Sequence, residues 1–193
     1  MVTAVTSWPA HVWCQSESSA DTPIAASERV EWVLKGVFGL RSVAVVGPFM
    51  ASYQTALNNP PEWERSWSGF GKRYLQRGVD VALSGSIEAG LGAISGEDPR
   101  YVRMANGRIR TRAAYVVKAS LLARRRDGSF HPAFARYAGN VFNNVIENAW
   151  LPPSETTIGQ TVWRSTAGIL TRIGDSAFRE FWPDISRLLK KRE

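Results

Sequence analysis

Residues 71–94 read G-K-R-Y-L-Q-R-G-V-D-V-A-L-S-G-S-I-E-A-G-L-G-A-I, and this stretch decides the fold class. Its large apolar residues recur every three or four positions, which predicts one long helix with an apolar stripe. A neighbouring stripe of small residues lets a second helix backbone approach closely. The two stripes are Val79, Leu83, Ile87, Leu91 and Ile94, and Gly78, Ala82, Ser86 and Gly90. Because glycine costs a helix up to about 1 kcal/mol relative to alanine, packing or lipid must stabilise this one.

Helical periodicity continues on both sides of this segment. The spacing predicts helices over 28–40 with Ser27 as N-cap, with a continuation beyond Pro48 to about Leu57, and over 109–125, 132–149 and 157–182. Pro183 stops or kinks the last of these, and a short basic helix follows it. We therefore predict an all-α fold, a single domain of about five helices with a central helix rich in glycine and small residues and a short basic C-terminal helix.

Two details of this helical prediction leave alternatives open. The Asp127-Gly128 turn suits a β-hairpin as well as a helix–turn–helix, and the alanine content together with Pro132 favours the helical choice. The helix over 132–149 has a predicted core side and an opposite side rich in asparagine, which suits bonding to other helices or to a second copy of the chain. The core side is Phe134, Tyr137 or Ala138, Val141, Phe142, Val145 and Ala149, and the asparagines are Asn140, Asn143, Asn144 and Asn148.

The N-terminal segment differs in composition from the rest of the 193 residues. We predict a signal-like or disordered segment and linker over 1–26 and one helical domain over 27–193. The chain is apolar as far as Cys14 and then turns polar, as at the end of a secretory signal, although a positively charged start is missing. We expect an exported, periplasmic or envelope-associated protein, with a cytoplasmic one as the alternative. Arg41 and Pro48 interrupt the closest candidate for a membrane span, so a conventional span is not expected.

Positive charge dominates the chain and is concentrated in one stretch. Lys and Arg number 24 against 17 Asp and Glu, and arginines crowd residues 100–126. Such a stretch favours anionic partners. For an exported protein these are an anionic membrane surface or an envelope protein, whereas a cytoplasmic protein would use it for nucleic acid. The candidate binding residues are Arg100, Tyr101, Arg103, Arg108, Arg110 and Arg112.

Few residues suit catalysis or metal binding. One cysteine and two histidines make a metal site improbable, and we assign no metal, no cofactor and no catalytic residue. Asp80 and Glu88 share one helix face, and we interpret them as a polar seam bonded to arginines of a neighbouring helix. The alternative is an enzyme whose carboxylate and arginine site gathers Asp80, Glu88, Glu97, Asp98 and Arg100.

Two short motifs have structural interpretations. G-F-G-K-R-Y at 69–74 lacks the first glycine and the Ser or Thr of a phosphate loop, so Lys72 and Arg73 are expected to face solvent. S-G-E-D-P-R-Y at 95–101 is a helix terminator, with Gly96 as the glycine after the last turn and Pro99 preventing return to the same helix.

Six short motifs together resemble those of a family of bacterial, mostly exported proteins without an established activity. They span about residues 28–189 and comprise P-E-W at 61–63, G-F-G-K-R-Y at 69–74, E-D-P-R-Y-V-R at 97–103, R-x-x-Y-V-V at 112–117, G-N-V-F-N-N at 139–144 and F-R-E-F-W-P-D-I at 178–185. The resemblance implies an all-helical envelope protein and supplies no activity. The small-residue helix, the positive charge, the aromatic connector and the signal-like start together make a non-enzymatic role the leading hypothesis. Relatives tend to have a histidine just before E-D-P-R-Y, where this chain has Gly96.

Overall fold

A computed structural model describes residues 24–104, 106–125 and 127–190. The signal-like stretch that we predict up to Cys14 lies outside these residues.

Helices form most of the described chain, which confirms the all-α prediction. The first helix, α1 Ala26–Phe38, leads through a π-helical turn, Ser42–Val46, into α2 Gly47–Leu57. Pro48 does not break this path, because it lies in the first turn of α2, where its missing N–H is tolerated. The helices are α1 Ala26–Phe38, α2 Gly47–Leu57, α3 Trp67–Ser95, α4 Ile109–Leu121, α5 Phe134–Glu147 and α6 Ile158–Lys190.

Two helix ends differ from the prediction. Helix α1 is capped by Ala25, not Ser27, because the Glu28 carboxylate reaches back to accept the Ala25 N–H at 2.8 Å. Helix α6 runs through Pro183 to Lys190 without a stop, so the predicted short basic helix is the last part of α6.

A small antiparallel sheet corrects the helix–turn–helix prediction. Its strands are β1 Glu97–Asp98, β2 Leu122–Arg125 and β3 Phe130–Pro132, in that order. Helix α4 ends at Leu121, and the chain turns at Gly128, whose φ of 80° is the left-handed conformation that glycine adopts without strain. The Asp127 carboxylate accepts hydrogen bonds from the Ser129 N–H and hydroxyl and fixes the turn. The turn chemistry therefore outweighed the helical propensity of the alanines.

Helix α3 is the centre of the bundle. Helices α1 and α2 run antiparallel along it, as the contacts of Gly36 with Val81 and of Gly47 with Tyr74 show. Helix α5 packs antiparallel against α3, with Arg136 opposite Glu88 and Asn143 opposite Asp80. Helix α6 folds back along α5. The C-terminal part of α6 packs against α4 and also meets the junction of α1 and α2, where Arg41 pairs with Asp175 at 2.7 Å.

Helices α3 and α5 cross at Gly139, whose hydrogen faces backbone. A Cβ at this position would lie 2.9 Å from the Ser84 carbonyl oxygen and 3.2 Å from the Glu88 nitrogen. The small-residue stripe that we predicted is not the crossing surface, because Gly78 and Gly90 have nothing within 4 Å of where a Cβ would stand. A neighbouring face of α3, which carries Gly85 and Gly92, lies close to other helices instead. A Cβ at Gly85 would contact Val33 of α1.

Many polar side chains are buried within the bundle, and many large apolar side chains lie on its surface. The buried hydrophobic residues are mostly alanines, whereas the largest fully buried side chains include Arg73, Glu180 and Asn143. Large apolar side chains are exposed on every helix, among them Phe38 at 72% and Ile94 at 87%. The predicted core side of α5 is therefore wrong, because its large residues face outward and its asparagines face inward. The exposed residues are Phe134, Val141, Phe142 and Val145, and the buried ones are Asn143 and Asn144.

Candidate functional site

Glu88 of α3 is the first node of a buried polar network. Its carboxylate accepts hydrogen bonds from Arg136 Nε of α5 at 3.1 Å and from Arg172 of α6 at 3.2 Å. Arg136 also donates to the Ser120 carbonyl at the end of α4, and Arg172 to the Pro99 carbonyl. The interpretation of Glu88 as part of a polar seam bonded to arginines of neighbouring helices is confirmed.

A second node lies on the same three helices, nearer the other end of α5. Asp80 of α3 accepts from Arg77 at 2.5 Å and from the Asn143 side-chain amide at 2.6 Å. One turn further along α5, Glu147 pairs with Arg164 of α6 at 3.3 Å. The asparagine prediction is thereby confirmed in part, since Asn143 bonds across to another helix.

The third node is Glu180 of α6, whose side chain is fully buried. It accepts the Tyr101 hydroxyl at 2.9 Å, the Met104 N–H at 3.0 Å and Arg112 Nε at 2.7 Å. Burial first, and then the hydrogen bond to Glu180, raise the pKa of Tyr101, so its phenol remains a donor. The hydrogen bond to Glu180 likewise raises the pKa of Arg112.

Asp184, one turn beyond Glu180, extends this node toward solvent. It forms an ion pair with Arg112 at 2.7 Å and accepts a hydrogen bond from Arg103 at 3.0 Å. These two guanidinium groups, Arg112 first, lower the pKa of Asp184. The node therefore contains two arginines and two carboxylates, all held by partners from distant parts of the sequence.

The E-D-P-R-Y-V-R segment at 97–103 links the end of α3 to α1 and to the start of α5. Gly96 ends α3 in the left-handed conformation with a φ of 76°, which confirms the terminator interpretation. Glu97 accepts the Ala135 N–H at the start of α5 at 3.1 Å, and its own carbonyl accepts from Arg29 of α1 at 2.8 Å. Asp98 binds Arg100 through both carboxylate oxygens. The carboxylates of this segment therefore have structural partners.

The predicted binding residues fall into two groups. The side chains of Arg100, Tyr101, Arg103 and Arg112 all have intramolecular partners, in the ion pairs and hydrogen bonds given above. Arg108 and Arg110, at the start of α4, are exposed.

Arg73 has a structural role that the G-F-G-K-R-Y motif at 69–74 did not predict. It was expected to face solvent, yet it is only 1% exposed. It donates to the carbonyls of Asn59, Pro60 and Glu64, each at 2.8 Å. The expectation is wrong because the loop between α2 and α3 folds over α3. Its carbonyl groups are thereby removed from water, and Arg73 supplies their hydrogen bonds.

The carboxylates of the enzyme alternative do not share a cleft. Asp80, Glu88, Glu97 and Asp98 each bind different partners, as described above. An open cleft of about 320 Å³ lies at the end of α3 and includes none of them, being lined by Ile94, Ser95, Gly96, Arg125 and Asp127. Within the described ranges, no group of three or more His, Cys, Asp or Glu side chains is placed to hold a metal ion.

Several members of the network were not singled out from the sequence. All of them except Glu180 share one signal, an isolated charge within an otherwise uncharged helical stretch. Residues 134–151 contain two charged side chains and residues 158–174 contain two more. Such isolated charges are expensive to expose on an apolar surface and therefore indicate inward pairing. The missed residues are Arg136, Glu147, Arg164, Arg172 and Glu180.

Comparisons with known proteins leave the family open. A scan against protein-family models, a search of curated proteins and a search of solved structures each returned no match.

Proposed function

We propose that this chain is a non-enzymatic, membrane-embedded helical protein of the cell envelope. In this proposal the polar network forms the interior of the bundle and lipid acyl chains cover its outer faces. The observation that carries the proposal is the inverted distribution of side chains, with charged residues inside and large apolar residues outside.

Water does not favour such a distribution. Each fully exposed Leu, Ile or Phe forgoes about 1.5–3 kcal/mol of burial, and each buried charge loses its hydration. In a bilayer the balance reverses, because apolar side chains are solvated by lipid and charged ones turn inward and pair. A stripe of single exposed residues would be unremarkable on a soluble protein, but exposure on all six helices is not.

The charged residues of three helical stretches support this interpretation. Residues 78–96, 134–151 and 158–174 contain two charged residues each, and every one of the six bonds to another helix of the bundle. The helices approach closely at glycines, such as Gly139 against Ser84, and asparagines bond between helices, as Asn148 does to Thr161 at 3.0 Å. Both features are typical of helices packed within membranes.

The path from α1 to α2 is the segment most suited to the membrane. It forms one 32-residue helix, Ala26–Leu57, that is long and apolar enough to cross a bilayer, contrary to the expectation drawn from Arg41 and Pro48. Only 6% of its most apolar stretch is buried. Such a helix near the N-terminus is also compatible with a signal sequence. Both interpretations support an envelope location, which forms part of this proposal.

We assign the basic end of the molecule to the lipid headgroups. Arg108 and Arg110 are exposed at the start of α4, and Ile109 between them is 75% exposed. At the end of α6, Trp182 and Leu188 are exposed beside Arg187. Arginines next to exposed apolar and tryptophan side chains suit the boundary between headgroups and acyl chains. Arg100, Tyr101, Arg103 and Arg112 then position this surface and do not themselves touch lipid.

Extraction of membranes from cells that express the full chain tests the embedding. We expect the protein to sediment with membranes, to resist high salt and alkaline carbonate, and to be released by detergent. Release by salt alone would reduce the protein to a peripheral one. A soluble product in the absence of detergent, either a monomer or an assembly of copies, would overturn the proposal.

Flotation with vesicles tests the headgroup assignment separately. The double variant Arg108→Glu/Arg110→Glu should lose much of its preference for vesicles with anionic lipid over neutral vesicles. The matched control is Arg65→Glu/Lys72→Glu, which reverses two exposed charges around the start of α3. Equal losses in the two variants would show that net charge alone sets the preference.

A further inference from the structure

The second node, on α3, α5 and α6, contains an amide whose orientation is fixed. The Asn143 Nδ2 donates to Asp80 Oδ1 at 2.6 Å, and a carboxylate can only accept. The other oxygen of Asp80 accepts from Arg77 at 2.5 Å. Asn143 must therefore turn its Oδ1, an acceptor, away from Asp80.

Two buried acceptors near this point lack a donor. Asn143 Oδ1 and Glu147 Oε1 are buried without a hydrogen-bond partner, and the two residues are 0% and 3% exposed. They stand one turn apart on the inner face of α5. A buried acceptor without a donor is destabilising, because it has lost its hydrogen bonds to water and gained none in the protein. One proton between them would satisfy both.

The charged groups that face Glu147 come from both neighbouring helices. Asp80 and Arg77 lie on α3, and Arg164 lies on α6. Arg164 reaches Glu147 Oε2 only at 3.3 Å, while its shorter bonds go to Asn148 Oδ1 at 2.5 Å and to the Asn144 carbonyl at 3.1 Å. Arg164 thus does not occupy Oε1, although its Nε is also buried without a hydrogen-bond partner, and the Asp80 charge disfavours a second anion nearby.

We propose that Glu147 is a reversible proton-binding site. In the bound state an O–H bond at Glu147 Oε1 donates to Asn143 Oδ1, while Oε2 still accepts from Arg164. In the free state the proton has passed to water, the carboxylate is held by Arg164 alone, and Asn143 Oδ1 is left without a donor. Proton binding therefore strengthens the link of Glu147 to Asn143 and Asp80, and proton loss strengthens its pairing with α6.

This inference goes beyond a lipid-covered bundle and does not depend on it, because the cluster is buried whatever surrounds the protein. Charged residues inside a helical bundle commonly mark proton or ion pathways, and the ligand assigned to this site is the proton itself. Glu88 forms a contrast, since both of its oxygens accept from Arg136 or Arg172 and neither is an orphan.

Infrared difference spectroscopy of the full chain in detergent tests the site. The C=O stretching band of a protonated carboxylic acid should grow as the pH falls from about 8 to about 6, a range in which ordinary Asp and Glu carboxyls, with pKa near 4, stay ionised. Glu147→Gln should abolish this band, and Glu31→Gln, at an exposed carboxylate, should leave it unchanged. Absence of the band in the wild-type protein would overturn the proposal before any variant is made.

Persistence of the band in Glu147→Gln would also overturn it. The proton would then belong to another carboxyl, such as Glu97 or Glu155, whose Oε1 atoms are buried without a partner as well. If Glu147→Gln fails to fold, Glu147→Asp tests the proposal in its place. Its shorter side chain withdraws the carboxyl from Asn143 Oδ1, so the band should shift in frequency, and an unchanged band would assign the proton elsewhere.

Discussion

Glu180 is a fully buried carboxylate with three donors, two from the segment before α4 and one from α4, and its removal should be costly. Glu180→Ala leaves Arg112 buried with a weakened partner set, since only Asp184 still pairs with it. Breaking a buried pair by removing one partner typically costs about 3–5 kcal/mol. We expect a loss of this size in the free energy of unfolding, measured by denaturant titration in detergent. Glu31→Ala, which breaks an exposed pair with Lys35, should cost less than about 1 kcal/mol.

Acid should weaken the same node through Asp184. Its folded-state pKa lies below the ordinary value of about 3.9, so its stabilising contribution is complete above that value. As the pH falls through the lowered pKa, the carboxylate is protonated and the contribution is lost. We expect the thermal midpoint to fall in this acid range and to fall less steeply in Asp184→Asn. Identical acid slopes in the two proteins would contradict the role of Arg103 and Arg112.

At the scale of a helix, the crossing of α3 and α5 depends on one hydrogen atom of Gly139. In Gly139→Ala the new methyl group would stand 2.9 Å from the Ser84 carbonyl oxygen, so the helices must separate. We expect a loss of about 1–3 kcal/mol in the free energy of unfolding. Gly90→Ala is the matched control, since it adds the same methyl group to α3 where nothing lies within 4 Å. It should be neutral or stabilising by up to about 1 kcal/mol.

The sequence predicts the helices well and their orientation poorly. Apolar periodicity identifies a stripe on α5 but does not say whether the stripe faces the interior or the outside of the bundle. Phe142 was predicted to be buried because an apolar interior was assumed. The partners of Glu88 escaped prediction for a different reason, because Arg136 and Arg172 come close only through the tertiary fold. The terminator at Gly96 was predictable because its conformation is local.

On the proposed embedding in a bilayer, the whole molecule should respond to a new surface charge with the opposite sign from a soluble protein. Phe142 is 54% exposed on α5, and Phe142→Asp would improve solvation if the surrounding medium were water. In a bilayer the same change should oppose insertion by up to about 3.5 kcal/mol. We expect less Phe142→Asp than wild-type protein in the membrane fraction of expressing cells.

Asn106→Asp provides the control for this charge change, since Asn106 is exposed in the turn before α4, at the basic end of the molecule. It adds the same charge and should leave the membrane fraction unchanged. Greater solubility of Phe142→Asp with retained structure would instead indicate that α5 covers a protein partner.

The Glu180 node joins residues that are synthesised at different times. Arg112 leaves the ribosome 68 residues before Glu180, and at about 5–20 residues per second this interval lasts roughly 3–14 s. During that time Arg103 and Arg112 lack the carboxylates of α6, so the nascent chain carries uncompensated positive charge beside its newly made apolar helices. Only translation of α6 neutralises it, so a chain that stops before Glu180 keeps Arg103 and Arg112 without these carboxylates.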